Sequence, residues 1–491
     1  MSKAAHFRSN EVKSFDDLVR WMEEGCTPKS QLLMGVEHEK FLFDQKTLEP
    51  PAYEGERGVK AFLKGLATRF GWIPGYEKGN VIELERDNAS WSIEPGGQIE
   101  SGSAPLKNLH QIADDISRSL REAQEIAKPL GLDVIGLGFH PVHSGASMPV
   151  MPKSRYRELL GYVEANHLKP PLDLMYSTGS VQVSLGYESE EDMVKKLRVG
   201  LALQPIVTAL FANSPFKDGE PSGYQSYRSH VLHNELGGRY GFMLPEAFEE
   251  GFGFRKFAEF ASKLPLVGIY VEDEFHQVRA GETFETFMNG KLADFPGRKP
   301  TLDDWGNHLN TIWPEVRVRH CLEMRGADCG PEEMLKALPA FWVGILYDKE
   351  SLAKASEMIA SWTAEDREYL RATTPRDGLA TPFMGTTVQD IALNCLALAQ
   401  AGLKRREVQD GMGRDESVYL APLHEIATTG RSLATRVLEA YASAGRCDLT
   451  RLFNERSFGA EPSVLRQEHL PVNDNEKIMV RRKSFGPDMK G

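Results

Sequence analysis

Gly35-Val36-Glu37-His38-Glu39-Lys40-Phe41 lies inside an apolar, alternating run over 32–43, the pattern of a β-strand. Successive strand side chains point to opposite faces, so Glu37 and Glu39 share one face, with α-carbons roughly 6.5–7 Å apart. Two carboxylates at that spacing repel, and unless a cation lies between them one tends to stay protonated. Taken alone, a Glu-x-Glu strand reads as a solvated face. Acidic residues placed the same way elsewhere in the chain change that reading.

Strand-like runs over 80–86 and 90–94 flank the turn Asp87-Asn88-Ala89 and predict a hairpin. Pro95-Gly96-Gly97 breaks it and an extended piece resumes over 98–103, leaving Glu94 and Glu100 on either side of an irregularity that re-aims side chains. The run 180–185 alternates cleanly with Gln182 on its polar face. Leu322-Glu323-Met324-Arg325 alternates again, so Cys321, Glu323 and Arg325 share a face. Glu37, Glu39, Glu94, Glu100, Gln182 and Glu323 are oxygen-only donors on separate strands, each embedded in apolar sequence. Such donors suit Mg²⁺ or Mn²⁺ rather than zinc. Several of them together can hold two or more hard cations that clamp a nucleotide's phosphates. Arg155, Arg228, Arg239 and Arg325 offer guanidiniums for carboxylates or phosphates. No Gly-x-x-x-x-Gly-Lys-Ser/Thr loop is present, so a nucleotide is expected to be held through metals. His140 and His143, separated by Pro141 and Val142, read as structural.

Helical periodicity appears over 14–24, with Ser14 as cap, and over 59–70, 106–128 and 190–211, the last predicted to kink at Pro205. The stretch 219–239 reads as loop. Beyond about 331 the chain is mainly helical, over 334–348, 349–362, 364–370, 388–402 and 417–444. With no internal repeat or linker, the expectation is one catalytic domain over 1–491, of α+β class, with a polar tail over 468–491 that is poorly ordered.

The 491 residues carry a formal charge of −12, which argues against a non-specific nucleic-acid partner. An anionic substrate remains open, because bound metal or clustered arginine reverses the local field. No apolar run reaches membrane-spanning length, and Met1 to Phe7 leads into no apolar core, so neither a membrane segment nor a signal peptide is expected. Cys26, Cys321, Cys329, Cys395 and Cys447 are scattered without Cys-x-x-Cys spacing. They read as free thiols in a reducing cytoplasm and exclude a thiolate zinc site.

The run 35–41, Ile93-Glu94-Pro95-Gly96-Gly97-Gln98-Ile99-Glu100, Val181-Gln182-Val183, the run 200–206, Ala212-Asn213-Ser214-Pro215-Phe216, Arg228-Ser229 and the run 322–328 occur in the order seen in the glutamate–cysteine ligases of plants and proteobacteria. The chain resembles that family over roughly residues 15 to 440. The resemblance implies a glutamine-synthetase-like antiparallel β-sheet funnel surrounded by helices. It implies ATP-dependent joining of the L-glutamate γ-carboxyl to the amino group of L-cysteine, by a monomer or homodimer. It further implies Glu37, Glu39, Glu94, Glu100, Gln182 and Glu323 at the metal sites, with Glu37, Glu323 and Arg325 catalytic. Arg325 and Lys40 are expected at the nucleotide, and Arg228, Arg239 and Arg155 at the substrates. Two segments depart from the family pattern: Ser177-Thr178-Gly179, where an Arg-Thr-Cys run is usual, and Leu232-His233-Asn234-Glu235-Leu236, where a Trp and an Asp-Thr-Asp run are usual. Both bear on the acceptor, so a sister carboxylate–amine ligase that uses another amine or another acidic amino acid is the alternative, and a non-catalytic binding protein the third reading.

Overall fold

The computed structural model describes residues 11–165, 171–234, 241–272, 274–443 and 449–458. A nine-stranded antiparallel sheet organises them, built from β1 (Met34–Asp44), β2 (Ile73–Glu77), β3 (Asn80–Arg86), β4 (Ala89–Ile93), β5 (Ile99–Gly102), β6 (Leu132–Ile135), β7 (Ser180–Leu185), β8 (Val316–Val318) and β9 (Leu322–Asp328). The spatial order is β8-β9-β7-β1-β5-β4-β3-β2, and β6 pairs with the second half of β1. The Glu37 strand is therefore the middle of the sheet, flanked by β7 and β5.

Alternation along these strands sorts the two faces. Met34, Val36, Val181, Val183, Leu185, Leu322 and Met324 are buried in one apolar cluster. The helices Glu190–Phe211 and Glu332–Leu346 lie against that face, and Val59–Phe70 and Leu109–Ala127 extend the cover across β3 and β6. Each large apolar side chain buried there contributes about 1.5–3 kcal/mol relative to exposure. Local signals fix the element ends. Ser14 and Asp17 form a capping box for Phe15–Glu23, and Asn108 accepts a hydrogen bond from Gln111 N to start Leu109–Ala127. Asp87 and Asn88 both adopt positive φ, 51° and 63°, the twist a two-residue hairpin turn needs.

The α+β class expected from the sequence stands, and several elements differ in detail. The helix Glu190–Phe211 has the expected bounds, with Pro205 inside it, whereas the helix expected over 364–370 extends through Pro375 to Asp377. The expected helix over 417–444 is interrupted at Gly430, whose φ of 66° ends Ala421–Thr429 before Leu433–Ser443 begins. The stretch read as loop contains the helix Tyr227–Asn234. The edge strand Ile73–Glu77 carries Pro74 and Gly75, which hid it from periodicity. The tail over 468–491 and Cys447 lie outside the described residues.

Candidate active site

Strand register assembles the site. Glu39 stands opposite Glu100, which in turn stands opposite Ser92. Glu37 is opposite Gln182 on one side and Gly102 on the other. Glu323 is opposite Ser184 and Arg317. Directly opposed residues in an antiparallel pair project to the same face. All of these residues therefore share the face turned away from the apolar helices. Glu94 joins them from the turn after β4, where its backbone N–H donates to the Gln98 carbonyl and Gly97 adopts a φ of 87°. Gly96 is pressed so closely on Tyr176 that a β-carbon would lie 2.0 Å from the Tyr176 carbonyl oxygen. That contact, the approach allowed by glycine, docks the turn against the helix Leu172–Ser177.

The face has an acidic half. Glu94 and Glu100 are buried, and Glu37 and Glu39 partly so. Burial raises Glu37, and repulsion from Glu100 and Glu323 adds to it. Burial, with Glu100 and Glu94 close by, lifts Glu39 to about 8. Glu94 is raised by burial and by Glu100. Ser92 Oγ donates to Glu100 at 2.9 Å, Ser180 N–H to Glu39 at 2.6 Å, and Tyr156 O–H to Glu94 Oε2 at 2.7 Å. Among the described residues no group hydrogen-bonds the buried Oε1 of Glu94.

The other half is basic. Arg317 forks onto Glu323, Nε at 2.5 Å and Nη2 at 2.9 Å, and Arg325 Nη1 donates to Glu323 at 3.1 Å and to Gln182 Oε1 at 2.6 Å. Burial alone would raise Glu323, but the guanidiniums of Arg317, Arg325 and Arg319 outweigh it and hold the carboxyl far below its ordinary range. Arg228 approaches from the helix Tyr227–Asn234, its Nη2 donating to the Arg325 carbonyl at 2.9 Å.

The donor set of the acidic half fits hard cations: all oxygen and mutually repelling, with Glu94 Oε1 hydrogen-bonded by no described group. Among the described residues no three His, Cys, Asp or Glu side chains close on one point as a finished cage. Glu323 and Gln182, expected as ligands alongside the others, are engaged by Arg317 and Arg325. As ligands they would have to exchange those partners.

The other expected residues stand as follows. Lys40, assigned to the nucleotide, does not share the face of Glu37 and Glu39. The two-residue strand period puts it with His38 on the opposite face, fully buried, where Nζ meets His38 O at 2.9 Å, His38 Nδ1 at 2.7 Å and Ser101 Oγ at 3.0 Å. Arg155 lies at the start of the helix Ser154–Ala165, and Arg239 falls outside the described residues, as do Glu235 and Leu236. Burial depresses His140 to about 3, and its Nδ1 accepts from His143 N–H at 3.0 Å. Arg317, Ser92 and Tyr156 were not anticipated. Arg317 alternates with Arg319 ahead of Glu323, the one signal that pointed to it.

Residues 33–455 match the family described as glutamate–cysteine ligase family 2. A chloroplastic glutamate–cysteine ligase A of Oryza sativa subsp. japonica is 43% identical over 441 residues, 90% of this chain and 87% of its own. The chloroplastic enzyme of Nicotiana tabacum is 44% identical over 427 residues, 87% of this chain and 79% of its own. A solved glutamate–cysteine ligase from Francisella tularensis in complex with AMP aligns with a TM-score of 0.49 at 10% identity, covering 84% of this chain and 85% of that one. The expected cytoplasmic location is contradicted by these relatives, which are named as chloroplastic enzymes. Scattered free cysteines report a reducing environment, not an address. By the span and identity of these matches, the chain belongs to glutamate–cysteine ligase family 2.

Proposed function

We propose that the protein joins the γ-carboxyl of L-glutamate to the amino group of L-cysteine at the expense of ATP, through a γ-glutamyl phosphate, in the first step of glutathione synthesis. The observation that carries this reading is the single sheet face on which Glu37, Glu39, Glu94 and Glu100 adjoin the Arg317–Glu323–Arg325 cluster. A carboxylate is a poor acyl donor at neutral pH, so a phosphoryl group must first convert one of its oxygens into a leaving group. Mg²⁺ bound by the acidic half would supply charge neutralisation at the phosphates.

The chain's own side chains do the rest. Arg325, aimed across the face at Gln182 and Glu323, is placed to stabilise negative charge on the phosphoryl group in transfer. Arg317 keeps Glu323 ionised and in place. Arg228 offers Nε and Nη1, buried and hydrogen-bonded by no described group, to a substrate carboxylate. No enzyme nucleophile is required, because the substrate amine attacks the acyl phosphate directly.

Incubation of the purified chain with ATP, Mg²⁺, glutamate and a panel of amines tests this. Release of ADP with γ-glutamylcysteine in equal amounts is expected. The departures at 177–179 and 232–236 favour one competing outcome, turnover with glutamate and a different amine but not with cysteine. That outcome would replace the acceptor and leave the ligation chemistry in place.

A further inference from the structure

Asp328 ends β9, three residues beyond Arg325, and is 2% exposed. Its surroundings leave no space: a β-carbon on Gly138 would fall 2.3 Å from the Asp328 Cγ. A buried carboxylate is stable only if its oxygens are saturated with donors. Here they come from a single region. Oδ2 accepts from Asn213 N–H at 2.9 Å and Ser214 Oγ at 2.7 Å, and Oδ1 accepts from Ser226 Oγ at 2.9 Å. The two serines carry the contact onward. Ser214 Oγ accepts from Arg228 N–H at 3.2 Å, and Ser226 Oγ accepts from Ser229 N–H at 3.1 Å. Asp328 thus ties down, through two hydroxyls, the first turn of the helix Tyr227–Asn234 that bears Arg228.

The side chain of Arg228 is anchored to the same strand. Its Nη2 donates to the Arg325 carbonyl, which leaves Nε and Nη1 pointing at no described acceptor although the residue is only 4% exposed. A guanidinium buried with two donors unspent and fixed at backbone and tip is pre-organised for an anionic ligand. From this arrangement we infer that Asp328 is a positioning residue. Through Ser214 and Ser226 it sets Arg228 for the α-carboxylate of the amino-acid substrate, and so governs selection of an α-amino acid over its decarboxylated analogue. This rests on the reaction proposed above. Asp328 touches neither substrate nor nucleotide.

The test compares glutamate with 4-aminobutyrate, which keeps the reacting carboxyl and lacks the α-carboxylate. The unaltered chain should prefer glutamate strongly in kcat/KM. Asp328→Asn, of nearly the same shape, should raise KM for glutamate roughly tenfold or more. It should leave KM for ATP and the rate with 4-aminobutyrate nearly unchanged, so the preference collapses. Ser226→Ala, which removes one donor and leaves the carboxylate, should shift the preference in the same direction by less, and it keeps the test open if the Asp328 variant folds poorly. An equal loss with both substrates, or an unchanged preference in a folded variant, overturns the inference and leaves the ligase reading standing. No glutamate-dependent ADP release from the unaltered chain overturns the proposed reaction, and this inference with it.

Discussion

Glu39 on β1 and Glu100 on β5 face each other directly across the central antiparallel pair, on the polar face of the sheet. Like charges opposed in this way destabilise a sheet, and burial of Glu100 deepens the cost. The cation proposed above would offset that repulsion on the middle strand of the fold. Glu39→Gln should stabilise the metal-free chain, by about 1 kcal/mol or more. Glu39→Gln and Glu100→Gln should each lower ligase turnover by roughly 10²–10³-fold. Thermal unfolding paired with ADP release checks these outcomes, and destabilisation of the metal-free chain by Glu39→Gln counts against the account.

The same pair sets a pH dependence. Burial and the neighbouring carboxylates lift Glu39 to about 8, while an unfolded glutamate titrates near ~4.3. Between those values the folded chain retains a proton that the unfolded chain has released, so stability falls as pH rises through the window. Mg²⁺ competes for that proton. The melting temperature of the metal-free chain should drop from about pH 5 to about pH 8, and the rise on adding Mg²⁺ should grow over the same range. Equal Mg²⁺ stabilisation at both ends of the window would contradict a site built on Glu39.

Arg317 and Glu323 form a buried forked pair, with exposures of 4% and 0%. Arg317→Met leaves a buried carboxylate short of its main partner and should cost ~3–5 kcal/mol of stability. The double change Arg317→Met with Glu323→Met should recover most of that stability without recovering turnover. Denaturant melts of the three variants separate these outcomes, and full activity in the double variant would remove the pair from the mechanism.

Lys40→Met tests the face assignment. Nζ bonds His38 and Ser101 behind the carboxylates, so the change should destabilise by roughly 1–3 kcal/mol while KM for ATP stays within about twofold of the unaltered value. A large selective rise in KM for ATP would return Lys40 to the nucleotide site.

Glu37, Glu39, Glu100 and Gln182 were legible because strand alternation is local: each residue's face follows from its own neighbours. The partnership of Arg317 with Glu323 was not, since it depends on the register of β8 against β9. Lys40 was assigned to the nucleotide with the resemblance, whereas the two-residue period sets it on the face opposite Glu37 and Glu39. The helix Tyr227–Asn234 escaped notice for a different reason. It has no apolar stripe, and tertiary hydrogen bonds from Ser214, Ser226 and Asp328 hold its start. Compartment was not legible at all, because free thiols report a reducing environment and carry no address.

The central claim is that this face carries a γ-carboxyl through an acyl phosphate. It is tested most directly with glutamate labelled with oxygen-18 in the γ-carboxyl, followed by mass analysis of the phosphate released with unlabelled ATP, Mg²⁺ and cysteine. One labelled oxygen should pass into inorganic phosphate for every dipeptide formed, and Glu39→Gln should lower transfer and product in equal proportion. Label found in AMP, or dipeptide formed with no label in phosphate, would contradict the account.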